Sequence, residues 1–151
     1  MTDIVSHKIR SAMMAGIKGK NTKPEMMVRK ALFAHGYRFR LHRKGLPGSP
    51  DVVLPGRKLA IFVNGCFWHS HSGCRLAKIP STRPEFWIAK LERNRARDLE
   101  AIVKLNELGW RVLVVWECFV REHINLRDLG SAISGWIESE QVLGVLSNSS
   151  K

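Results

Sequence analysis

The chain has 151 residues, and its 25 lysines and arginines against 13 acids leave a net charge of +12 with a sequence pI near 10.3. That length suits one domain with a genuine core, and that charge concentrates polyanions, so nucleic acid or an anionic membrane surface is the expected class of partner. A membrane role is set aside, because no apolar run nears the roughly 20 residues needed to cross a bilayer and no signal-peptide core is present. Three cysteines are an odd number, which suits a metal site better than a disulfide framework and points to a reducing, cytoplasmic setting.

In chain order, residues 1–21 form a basic arm, and bases continue to dominate up to Asp51, a distribution suited to a phosphate backbone. Thr22-Lys23-Pro24-Glu25 reads as a capping box with proline in the first turn, opening a helix that runs to about His35 and stops at Gly36. A short strand from Tyr37 to Leu41 follows, then the turn Leu46-Pro47-Gly48-Ser49-Pro50, a buried strand Asp51 to Leu54 ended by Pro55-Gly56, and a strand from Leu59 to Val63. A second capping box, Thr82-Arg83-Pro84-Glu85, begins a long helix ending near Leu108, with Gly109 just beyond it. Ile88, Leu91, Leu99, Ile102 and Val103 predict its buried face, with Lys90, Arg93, Asn94, Arg97 and Lys104 pointing away. Arg111 to Trp116 is a strand, Leu129, Ala132, Ile133, Trp136 and Ile137 mark a closing helix, and residues 147–151 are expected to fray. The order α, β, β, β, α, β, α predicts a single α/β domain spanning 1–151, without repeats or linkers.

The densest chemistry is Asn64-Gly65-Cys66-Phe67-Trp68-His69-Ser70-His71-Ser72-Gly73-Cys74. Cys66 and Cys74, one histidine between them and the distant Cys118 offer three thiolates and an imidazole, a full tetrahedral zinc set. Spacing does not choose between His69 and His71, and the ring left over would be free for other work. Asp51 taken alone reads as an aspartate capping its turn. Beside a histidine in a basic chain, it also reads as the strand-end carboxylate that phosphodiester hydrolysis needs to hold a divalent metal, with the histidine taking a proton from water. Glu25 has a plain role in its capping box and a second reading as an acid near that metal. Trp110, Trp116 and Trp136 read as core, whereas Phe67 and Trp68 at a loop tip, with Trp87, can wedge between base steps.

Leu46-Pro47-Gly48-Ser49-Pro50-Asp51, Gly65-Cys66-Phe67-Trp68-His69, Glu85-Phe86-Trp87 and Gly109-Trp110 through Trp116-Glu117-Cys118 resemble the very-short-patch mismatch repair endonuclease family, in order and with matching spacing from about Arg10 to Cys118. The resemblance implies a restriction-endonuclease-like fold, a central mixed β-sheet flanked by helices with one structural zinc. It also implies magnesium-dependent nicking of duplex DNA 5′ of the thymine in a T:G mismatch left by deamination of 5-methylcytosine. By position it implies Asp51 and the Val63 backbone carbonyl as magnesium ligands, His69 as general base and Glu25 as an acid acting through metal-bound water. Cys66, His71, Cys74 and Cys118 match the zinc ligands. Phe67, Trp68 and Trp87 match an aromatic wedge, and Met14, Lys90 and Asn94 match contacts to the mismatched region. Arg93 and Arg97 are expected to add phosphate contacts. Asn64 departs from members that carry histidine there. The expected enzyme is a monomer in the bacterial cytoplasm, acting at the nucleoid, with other mismatch repair proteins as further partners and no membrane partner. The competing reading is a zinc-stabilised DNA-binding module without catalysis. A catalytic zinc is the third, and four protein ligands leave it no open position.

Overall fold

The computed structural model describes residues 21–148, so Met14, nearly all of the basic arm and residues 149–151 lie outside the described residues. Helix α1 (Lys23–Ala34) begins with half of its capping box: Thr22 Oγ1 accepts the Glu25 N–H at 3.4 Å and Pro24 sits in the first turn, while the Glu25 carboxylate turns to Arg29 and His42 and not back to Thr22. Strand β1 is only Arg40–Leu41, shorter than expected. Tyr37 is drawn instead to the closing helix, its hydroxyl 2.9 Å from Ser134 Oγ and donating to Glu138 at 2.8 Å.

Strands β2 (Val52–Leu54), β3 (Leu59–Asn64) and β4 (Arg111–Trp116) fall where apolar runs predict them. After β4 come a short helix α3 (Glu117–Glu122), the closing helix α4 (Leu126–Ile137) and an edge strand β5 (Leu143–Leu146). The resulting sheet is mixed, in the order β1-β2-β3-β4-β5: β2 is antiparallel to β1 and to β3, while β3, β4 and β5 are parallel. Alternate strand residues divide the core. Val52, Leu54, Ile61, Leu113 and Val115 pack with α1, α3 and α4 on one face, and Val53, Ala60, Val112 and Val114 pack with Leu105 on the other. This single α/β domain with a five-stranded mixed sheet between helices is consistent with the restriction-endonuclease-like expectation.

Helix α2 (Pro84–Glu107) differs from its prediction in two ways. Arg83, with φ of 52°, occupies the cap position without a side-chain bond, so the Thr82 box does not form. Its buried residues are Leu91, Ala101 and Leu105, whereas Ile88, Leu99 and Val103 are 45%, 57% and 55% exposed. The helix is rolled because two polar side chains on the inner face, Asn94 and Asp98, bond to the loop after β3. Gly48, at φ 74°, lets the turn before Asp51 press on this helix; a Cβ there would stand 2.7 Å from that of Ala101.

Candidate active site and metal centre

The three parallel strands end together, with Asn64 opposite Trp116 and Leu146 opposite Val115. Open α/β sheets gather ligands at such carboxyl ends, and here the chain leaving β3 meets the chain leaving β4. Cys66 and Cys118 are thereby brought face to face across 52 residues, and the Cys118 N–H points at Cys66 Sγ, 3.4 Å away. Ligand atoms of Cys66, His71, Cys74 and Cys118 all lie within 4.8 Å of one another. His71, left undecided against His69 by spacing, turns Nδ1 toward Cys118 Sγ (3.6 Å) while Nε2 lies 3.0 Å from Ser147 Oγ. Its ring stacks on Trp116 at 3.9 Å and 4°, so Trp116 braces this cluster as well as lining the core. Burial lowers the His71 pKa and raises that of the Cys66 thiol, the direction a metal must reverse to hold a thiolate. The donor set fits a tetrahedral zinc with a hydroxyl outside it steadying the imidazole. Ser147, expected to fray, is that hydroxyl.

A second cluster lies on an open cavity of about 1040 Å³ bounded by Glu25, Asp51, Val63, Trp68, His69 and Arg97. Asp51 Oδ2 accepts the Val63 N–H at 2.8 Å, which clamps the start of β2 to the end of β3. Burial pushes the Asp51 carboxyl up to about 6, the Val63 N–H opposes the rise and the Glu25 charge adds to it. Glu25 is 1% exposed; its carboxylate accepts from Arg29 and lies 2.6 Å from His42 Nε2, which is itself 3.3 Å from the Arg29 guanidinium. Donor atoms of Glu25, His42 and Asp51 lie within 4.8 Å of one another. Two carboxylates on the cavity wall with an imidazole beside them fit a divalent ion with open positions for substrate oxygens.

His69 faces the same cavity, its Nδ1–H directed at Asp98 Oδ2 at 2.5 Å. With that N–H committed, the neutral ring carries its lone pair on Nε2. Phe67, Trp68 and Trp87 form one aromatic cluster, with ring centroids 5.0 to 6.0 Å apart. Asn94, expected to point away from the buried face, donates from Nδ2 to the Trp68 carbonyl at 3.0 Å and is itself held by Arg97, 2.7 Å from its Oδ1. Lys90 and Arg93 lie on the same helix, Arg93 exposed.

Sequence reasoning missed Asp98, His42 and Arg29. Asp98 had a signal: Trp87, Leu91, Asn94, Asp98, Ala101 and Leu105 recur at helical spacing, and two polar residues inside that stripe mark the face that meets the site. His42 had none, because its neighbours carry no motif.

A family model described as DNA mismatch endonuclease Vsr matches residues 2–75. The type II nicking enzyme V.XorIIP of Xanthomonas oryzae pv. oryzae is 50% identical over 131 residues, 87% of this chain and 91% of that protein. The DNA mismatch endonuclease Vsr of Escherichia coli is 42% identical over 142 residues, 93% and 90% of the two chains. The type II nicking enzyme V.NmeAIP of Neisseria meningitidis is 40% identical over 141 residues, 88% and 100%. Relatives of this kind, together with the carboxylate and imidazole cavity, define a nuclease. The chain belongs to the Vsr family of DNA mismatch endonucleases.

Proposed function

We propose that this protein nicks duplex DNA 5′ of the thymine in a T:G mismatch produced by deamination of 5-methylcytosine, by magnesium-dependent phosphodiester hydrolysis that opens very-short-patch repair. The observation that carries the reading is the meeting, on one cavity, of the Glu25 and Asp51 carboxylates, with His42 beside them, and the His69–Asp98 pair. Asp51 and the Val63 backbone would hold the divalent ion, which polarises the phosphate and stabilises the leaving oxygen. His69 takes the proton of the attacking water on Nε2, and Asp98 keeps the ring in that tautomer. Glu25 orients water at the ion. Cys66, His71, Cys74 and Cys118 hold a structural zinc that fixes the loop presenting His69.

Phe67, Trp68 and Trp87 form the wedge at the mismatch. Met14, in the basic arm, and Lys90 and Asn94, on α2, complete the contacts to the mismatched region, while Arg93 and Arg97 meet phosphates. One chain supplies every group named, so a monomer suffices, and the whole of 1–151 acts as one endonuclease domain on DNA in the cytoplasm. Other mismatch repair proteins are the further partners this reading anticipates.

The test is incubation of the purified protein with methylated, matched and mismatched duplexes. A magnesium- or manganese-dependent nick confined to the thymine strand of the T:G duplex is expected, abolished in Asp51→Ala while mismatch binding survives. Mismatch binding without a nick under any divalent ion would leave a zinc-stabilised DNA-binding module instead.

A further inference from the structure

His42 belongs to no motif, yet the structure invests backbone conformation in placing it. Its φ of 47° lies in the left-handed region, which is uncommon for residues with a Cβ although histidine enters it more readily than most. In that conformation its own N–H donates to the Asp51 carbonyl at 3.0 Å. The imidazole is therefore fixed to the strand that carries Asp51. Its Nε2 lies 2.6 Å from the carboxylate of Glu25 and 3.3 Å from the Arg29 guanidinium, and the side chain is 16% exposed; ligation of a metal takes the neutral ring with an unprotonated nitrogen turned to the ion.

A counter-charge for Glu25 does not explain this placement, because Arg29, one helical turn along α1, already supplies a permanent one. What His42 adds is a nitrogen donor whose ligand atom lies within 4.8 Å of those of both Glu25 and Asp51. We propose that His42 is a direct nitrogen ligand of the divalent ion held by Asp51, turning an all-oxygen site into a mixed one that favours manganese over magnesium. Magnesium is bound through oxygen and keeps its water reluctantly displaced, whereas affinity for imidazole rises along the first-row transition metals. The inference rests on the metal-dependent reading of this site given above.

The experiment is electron spin echo spectroscopy of manganese bound to the full-length protein. Nitrogen-14 modulation of the manganese signal is expected in the wild type, lost in His42→Gln and retained in His69→Gln, which removes the imidazole that lines the cavity. His42→Gln should weaken manganese binding about 10-fold and magnesium binding, measured by competition, by less than about threefold. Modulation that survives His42→Gln, or equal losses for the two ions, overturns the proposal. If His42→Gln fails to fold, nitrogen-15 labelling of the histidines in His69→Gln decides the matter: a manganese signal insensitive to the label overturns it, and one that changes supports it. Manganese binding that is as tight in Asp51→Asn as in the wild type would instead remove the underlying metal reading.

Discussion

Asp51 sits where an ionised carboxylate is least welcome: buried, near the carboxylate of Glu25, and relieved by one backbone N–H. Its carboxyl rises from 3.8 to about 6 on folding, so folding favours the protonated form. Stability from this group is full below about pH 4 and is lost as pH climbs toward 6. In magnesium-free buffer at pH 7, Asp51→Asn should therefore be more stable than wild type, on the order of 2 kcal/mol, and the advantage should vanish near pH 4. Urea denaturation across that range checks it; a variant less stable at pH 7 contradicts it. The same substitution should end nicking, the usual opposition between a poised site and a relaxed fold. Asp98 lends itself to a second test. Single-turnover nicking should fall roughly 100-fold or more in His69→Ala and about 10-fold in Asp98→Asn, with DNA affinity unchanged in both. A full rate in Asp98→Asn would leave its bond to His69 without a part in the chemistry.

The loop from Gly65 to Cys74 is held at its base by strand pairing and at its tip by α2. Its proposed zinc should appear at one ion per chain, and Cys118→Ala should lower both the zinc content and the melting temperature. Structural zinc contributes on the order of 10 kcal/mol of apparent binding energy, so unchanged zinc content and melting would exclude Cys118 as a ligand. Most of the sheet that anchors this loop was legible in the sequence. Val52–Leu54, residues 59–63 and residues 112–116 are unbroken apolar runs, which in a parallel or central strand is what burial on both faces demands. Two elements were not legible. Helix α3 begins directly from β4 with no capping side chain at Trp116, and β5 is four residues with a glycine and exposed Leu143 and Val145, too short and too solvated to show a period. The roll of α2 escaped for another reason: apolar periodicity weighs Ile88, Leu99 and Val103 as core, but Asn94 and Asp98 form bonds that only the folded loop provides. Among site residues, those in motifs were readable, and those that serve by bonding another side chain were not.

At the scale of the molecule, a charge of +12 draws every duplex alike, so choice among duplexes needs another source, which the proposed function places in the aromatic cluster. A T:G wobble stacks less well than a matched pair, and opening the adjacent step costs less there by about a few kcal/mol. Trp68→Ala should consequently lower the preference for the mismatch about 10-fold or more while general affinity changes little. Arg93→Ala should weaken all duplexes alike and reduce the salt slope by about 1. Arg93 is the better probe than Arg97, which also steadies Asn94 and through it Trp68. Binding of matched and T:G duplexes across a salt series separates the two, and a Trp68→Ala protein that keeps its full preference would move recognition to α2. The proposed wedge residues Phe67 and Trp68, the proposed base His69 and the proposed ligands Cys66, His71 and Cys74 all fall within nine consecutive residues of one loop. On those assignments, damage that unseats the metal would silence the cutter at the same moment that it blinds the reader. An enzyme built this way would be protected from its most hazardous failure, in which it still cuts but no longer discriminates.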